Sequence, residues 1–269
     1  MPETDPGAGL FPALLKYWRT RRGLSQLDLA LAADVSSRHV SFLETGRSNP
    51  SAQMVLRLAA SLDVPLRHAN AMLKAAGHPR HYPEGAAQLP PEIAAALDLM
   101  KAHHDPFPLI VVDRSYRVVD LNRGAEALLG AAIPQATSWA GLNLARLTFD
   151  PQGAQPAIAN FAEVGRQLLW RIQREVLADP DDGPLRELLE EVLAMPTVDD
   201  GWREADFAAP SSPTLGIHLR AGDRELSFTT MVTAFQAPQS VFVDELRIES
   251  WFPTDATTAE LCRAMADGG

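Results

Sequence analysis

LSQLDLALAADVSSRHVSFLETGRSNPS, residues Leu24 to Ser51, is the stretch on which the reading of this chain turns. Ser25 with Asp28 three positions later has capping-box spacing, each side chain able to satisfy the other's backbone N–H. The helix it opens is expected to point Leu27, Ala30 and Leu31 inward. Asp34 falls at the turn, Val35 plugs the core, and Ser36 caps the next helix. That helix is expected to bury Val40 and Leu43, to present Ser37, Arg38, His39 and Ser41 outward, and to close at Gly46. Two short helices joined by a tight turn, the second with a polar and basic outer face, have the layout of a helix-turn-helix.

The flanks extend this into a five-helix, all-α domain over residues 10–81. Phe11, Leu14, Leu15 and Trp18 share a helical face that ends at Gly23. Asn49-Pro50 makes a turn, and Ser51 caps a helix with Met54, Val55, Leu58, Ala59 and Leu62 at core spacing. Pro65 begins a fifth helix with Leu66, Ala69, Leu73 and Ala76 inward, stopped by Gly77 and Pro79. The Pro- and Gly-dense run from His78 to Pro91 reads as a linker and Glu92 to His103 as a connecting helix, so residues 82–104 join two domains.

Over residues 105–265 the period turns strand-like. Phe107 to Val112 and Tyr116 to Leu121 read as a hairpin about Arg114-Ser115, and Asn122 to Gly130 as a short helix. Phe161 to Ala178 and Pro184 to Met195 are amphipathic helices, followed by strand-like runs Leu215 to Leu219, Glu225 to Phe235 and Val241 to Phe252. The pattern predicts an α+β domain with an antiparallel sheet of about five strands.

The net charge of −10 conceals an asymmetry. Residues 10–81 carry ten Lys/Arg against four acids, whereas the chain from Tyr82 onward carries fourteen against twenty-eight. A basic module on an acidic one is expected where only the first part meets phosphates. No apolar run approaches the roughly 18 residues that cross a bilayer, and the acidic start MPETDPGAGLFP is unlike a secretory signal, so a cytoplasmic protein without membrane contact is expected. The single cysteine, Cys262, excludes a disulfide framework within the chain.

Two resemblances rest on these residues. Leu24-Ser25-Gln26, Ala30, Val35-Ser36, Val40, Leu43-Glu44, Gly46 and Pro50-Ser51 resemble the Xre/Cro-repressor type of helix-turn-helix, a lambda-repressor-like fold. The longer strings RHVSFLETGRSNPSAQMVLRLAASLDVPLRHANAMLKAAGHPR and DPFPLIVVDRSYRVVDLNRGAEALLG are similar to MmyB-like transcription regulators. That resemblance implies a PAS-like C-terminal domain and a fatty-acyl ligand.

Family pattern and helix geometry together nominate the DNA-facing residues. Gln26, at the first turn of the second helix, is expected to bond a phosphate and brace the recognition helix. Ser36, Ser37 and Arg38 stand at the start of that helix, with Arg38 able to grip guanine O6 and N7. Ser41 reaches a base or phosphate one turn further on; Arg47 and Asn49 are phosphate candidates in the following loop. His39 either faces the backbone or packs beside the first helix, and Phe42 meets a thymine methyl or a dimer mate. Glu44 reads as structural, bonding a neighbouring backbone or Arg47.

For an apolar ligand site the candidates are Phe107, Leu109, Trp139, Phe149, Phe161, Leu168, Trp202, Phe228 and Met231, each also an ordinary core residue. Arg166, Arg171 and Arg174 could meet a ligand carboxylate, with Arg171 beside Trp170 the first choice. Asp179, Asp181 and Asp182 read as a loop cap, the histidine pairs lack further metal ligands, and no G-x-S-x-G, Walker A or G-x-G-x-x-G occurs. The sequence therefore predicts a non-enzymatic transcription regulator without a cofactor, binding a palindromic operator as a homodimer under control of a small apolar ligand. The competing reading is a DNA-binding adaptor or antitoxin whose acidic domain holds a protein partner.

Overall fold

The structure is a computed structural model that describes residues 10–84, 89–133, 138–179, 182–204, 214–221, 224–235 and 238–267. The chain divides into two compact units, Met1–Ala87 with Phe235–Asp244, and Gln88–Ala234 with Glu245–Gly269. Among the described residues no helix is long and apolar enough to cross a membrane.

The first unit contains α1 (Leu10–Arg21), α2 (Gln26–Ala32), α3 (Ser37–Glu44), α4 (Ala52–Ser61) and α5 (Leu66–Ala75). Its local signals act as their chemistry dictates. Ser25 and Asp28 form the reciprocal capping box, and Ser36 and Ser51 accept from the N–H groups of His39 and Met54. Gly23 and Gly46, at φ +68° and +70°, end α1 and α3 in the left-handed conformation that glycine adopts without strain. Phe11, Leu15, Trp18, Val40, Leu43, Val55, Leu58 and Leu73 make one core.

The expected inward face of α2 is corrected. Leu27 and Leu31 are 58% and 73% exposed, while Leu29, Ala30 and Ala33 take the core seam. Leu29, Ala30 and Ala33, at i, i+1 and i+4, share one helical face, whereas Leu27 and Leu31 lie together on the side turned away from it and are left on the outer surface.

The second unit begins with α6 (Pro91–His104), β1 (Leu109–Val112), β2 (Val118–Leu121) and α7 (Arg123–Ala132), the last capped by Asn122. Next come α8 (Leu144–Phe149), α9 (Phe161–Ala178) and α10 (Gly183–Leu193), then β3 (Leu215–Ala221) and β4 (Arg224–Thr233). Then come α11 (Val241–Asp244), which belongs to the first unit, and β5 (Arg247–Pro253) and α12 (Ala256–Asp267) of the second. The five strands form the antiparallel sheet expected from the pattern, in the order β2-β1-β5-β4-β3. Inward residues of β3, β4 and β5, including Ile217, Phe228 and Trp251, form one core with Leu128 and Leu129 of α7. A second core gathers Phe149, Leu169, Ile172, Leu185 and Leu188 between α8, α9 and α10.

Two local readings change. The run from Val241 is not strand until Arg247, because Ser240 Oγ accepts from Val243 N and Asp244 N bonds Ser240 O, closing a helical turn in a β-like sequence. Helix α12 carries no strong apolar periodicity; Asp255 caps it at Thr258 N, and the buried Thr258 hydroxyl accepts from Ser227 N of β4. Asp182 caps α10, and with Asp179 it binds Arg114; Asp181 lies outside the described residues.

Candidate functional site

The outer face of α3 is the first candidate site. Ser37 and Arg38 stand exposed at its first turn. The Arg38 guanidinium carbon lies 5.1 Å from the Phe42 ring centroid and that of Arg47 lies 5.9 Å from it. Phe42 is thus half-buried between two cations, a cation–π arrangement that limits where both guanidinium groups point. His39 and Ser41 are half-buried beside this face, and Asn49 is exposed in the loop after it.

Beneath α3 lies a polar anchor. Glu44, its last residue, accepts from Arg19 Nε at 2.6 Å and Nη2 at 3.0 Å, and from Gln26 Nε2 at 2.8 Å. One carboxylate therefore ties α1, α2 and α3 together. Burial acts to raise its pKa, but the Arg19 and Gln26 hydrogen bonds and the Arg19 charge hold it below the usual carboxylate range. This corrects the Glu44–Arg47 pairing: Arg47 sits on Phe42, and the buried partner is Arg19. Gln26 reaches the recognition helix through its amide bond to Glu44.

The second candidate site is a cavity of about 70 Å³ on the inner face of the sheet. Leu215, Ile217 and Leu219 of β3, Thr230 of β4 and Trp251 of β5 form one wall; Leu128, Leu129 and Ala132 of α7, Leu144 of α8 and Val164 and Leu168 of α9 form the other. Its polar end holds Arg171, Glu249 and Tyr116.

A family model for the MmyB-like transcription regulator ligand binding domain matches residues 93–265, and a helix-turn-helix model matches residues 15–68. The chain belongs to the MmyB-like transcription regulators. With its helix-turn-helix it is a DNA-binding transcription regulator. No curated protein matches it. Among solved structures it is similar to the PAS domain from Bordetella pertussis BvgS, at 18% identity and TM-score 0.27 over 64% of this chain and 96% of that one. It is also similar to an RNA-binding Light-Oxygen-Voltage receptor, at 15% identity and TM-score 0.28, over 99% of this chain and 62% of that one. Both scores are low, and the fold stands on the sheet order and the family matches.

In this MmyB-like regulator the cavity gathers two of the ten nominated ligand residues, Leu168 and Arg171. Phe149 and Phe228 are filled core, and Phe161 and Trp202 pack on each other at 5.8 Å, across Gly165. Leu109 alternates with Ile110 and so takes the other face of β1; Met231 alternates with Thr230 and is 50% exposed. Trp139 lies by a shallow groove beside Val118 and Glu126, and Phe107 stacks under Arg263. Arg166 lies over Trp170, and neither Arg166 nor Arg174 lines the cavity. These nominations followed side-chain size, which does not distinguish a cavity wall from solid core. Strand parity is the better signal: the alternation Leu226, Phe228, Thr230 already places Thr230 inward and Met231 outward.

The polar end is a chain of coupled charges. Arg171 Nη1 lies 3.7 Å from Glu249 Oε1, and Arg247 Nη1 lies 3.0 Å from Glu175 Oε1, while the Tyr116 hydroxyl donates to Glu175 Oε2. Burial pushes the Glu249 carboxyl upward, against the pull of Arg171 and Arg247. Arg171 therefore faces an acid that holds its proton more readily than an exposed one, at a separation longer than a hydrogen bond. Among the described residues no group of three or more His, Cys, Asp or Glu side chains is placed to hold a metal ion.

Proposed function

We propose that this regulator binds a palindromic operator as a homodimer and that a small apolar ligand of the fatty-acyl type, lodged in the sheet cavity, sets its affinity for DNA. It acts by binding alone, without catalysis or a resident cofactor, in the cytoplasm. The observation that carries the ligand reading is an apolar cavity whose polar end presents Arg171, 3.7 Å from the buried Glu249 carboxyl. A ligand carboxylate at that end takes the guanidinium with charge-assisted hydrogen bonds.

The cavity size bears on how the signal arises. A water needs roughly 10–15 Å³ on the same measure, so about 70 Å³ holds a few heavy atoms. A long acyl chain enters only if the walls move, and a ligand that prefers the widened state shifts the population toward it. The dimer follows from the eight-residue α3, which spans one half-site; a partner reads the second about 34 Å away.

A mobility shift on the DNA upstream of the protein's own coding region tests the DNA reading. Arg38→Ala should weaken specific binding by about tenfold or more, the worth of a bidentate guanine contact; unchanged binding would remove Arg38 from the reading set. Native mass spectrometry of the purified protein tests the ligand. A co-purifying acyl mass lost in Arg171→Ala supports the sensor, and an empty cavity with a stoichiometric protein partner supports the adaptor or antitoxin.

A further inference from the structure

Helix α11 lies between β4 and β5 in sequence, yet it folds as part of the DNA-binding unit. Its Asp244 Oδ2 accepts from Leu66 N at 3.0 Å, across 178 positions of sequence. Leu66 is the first residue of α5, and the residue before it, Pro65, makes no side-chain cap. The first turn of α5 thus obtains from Asp244 the acceptor that its own N-cap lacks, and a carboxylate there also complements the helix dipole. A second bond runs from Val241 N to Pro83 O at 3.0 Å. The segment receiving it is fixed in turn by Asn70 of α5, whose buried carboxamide accepts from His81 N and Tyr82 N and donates to Tyr82 O. The first turn of α5 is thus bonded directly by α11, and its middle, at Asn70, holds the segment that α11 also binds.

Asp244 also stands three residues before Arg247, the first residue of β5. Three residues span at most about 10 Å, and Glu249 and Trp251 of the same strand line the cavity. We infer that α11 is a tether: movement of β5 on filling the cavity acts on the first turn of α5, and through it on the core that seats the recognition helix. This route extends the ligand reading above, and its test uses neither ligand nor DNA, so the two can fail separately.

The test is amide hydrogen exchange of the full chain, followed in peptides covering α5 and α3. Asp244→Ala should speed exchange in the first turn of α5 about tenfold, the loss of a hydrogen bond to a charged acceptor, and Asp244→Asn, which keeps an acceptor, should restore most of the protection. Thr230→Ile adds bulk to the cavity from β4, beside Trp251 in register. It should alter α5 exchange by about threefold or more in the wild-type background and leave it unchanged in the Asp244→Ala background. Val241→Pro removes the second donor at a helix position that tolerates proline, and gives an independent severed tether if Asp244→Ala folds poorly. Normal α5 protection in Asp244→Ala overturns the inference. So does a Thr230→Ile effect that is absent in the wild-type background, or that persists undiminished when either bond is cut.

Discussion

Glu44→Ala should destabilise the DNA-binding unit by about 3–5 kcal/mol, the usual cost of removing one partner from a buried ion pair. The Glu44 side chain is 3% exposed and that of Arg19 is 11% exposed, so water does not replace the lost partner. Removing the carboxylate leaves the Arg19 guanidinium with its bond to the Leu24 carbonyl and strands the Gln26 amide donor. Because α1, α2 and α3 meet at this one group, the loss should appear in DNA binding as well as in denaturant unfolding. Glu44→Gln, which keeps acceptor geometry without charge, should fall between wild type and alanine. The pair also sets an acid limit. The folded carboxyl titrates below its unfolded value, so its stabilisation is complete above the unfolded pKa and is lost as pH falls through the folded one. An alanine cost below about 1 kcal/mol would instead rank the pair with exposed salt bridges.

The same anchor shows what a sequence carries and what it does not. Ser25, Asp28, Ser36 and Ser51 were readable because a cap and its N–H lie three residues apart, whatever the rest of the chain does. The five helices and the five-stranded sheet were readable for a related reason, since apolar period is local. The partner of Glu44 was not: Arg47 is three residues away, whereas Arg19 is brought up from another helix. Leu27 and Leu31 mark a second limit. Apolar spacing grouped them with Ala30, which is buried, yet the seam runs through Leu29, Ala30 and Ala33 and leaves both leucines outside. In β1, four successive apolar residues give no parity, so Leu109 could not be told from Ile110. Asp244 is the extreme case, a helix cap supplied 178 positions away from the helix it caps.

Gly124→Ala should cost about 3 kcal/mol or more, at the upper end for forcing atoms into a packed site. A Cβ there would run into the Pro106 carbonyl oxygen and lie 2.7 Å from its carbon and 2.9 Å from the Phe107 carbonyl oxygen, all backbone atoms. These atoms cannot swing aside, because the contact is fastened on both sides. Gly124 N donates to Asp105 Oδ1, and the buried Asn122 carboxamide caps α7 while donating to Phe107 O and accepting from Leu109 N. Relief therefore requires α7 to lift off the entry to β1, carrying Leu128, Leu129 and Ala132 out of the cavity wall. Gly130, six residues along the same helix, has nothing within 4 Å of such a Cβ. Gly130→Ala should stabilise by about 0.5–1 kcal/mol through helix propensity alone. Denaturant unfolding of the two variants checks both signs; equal effects would show that α7 tolerates displacement, and that Gly124 does not fix the cavity wall.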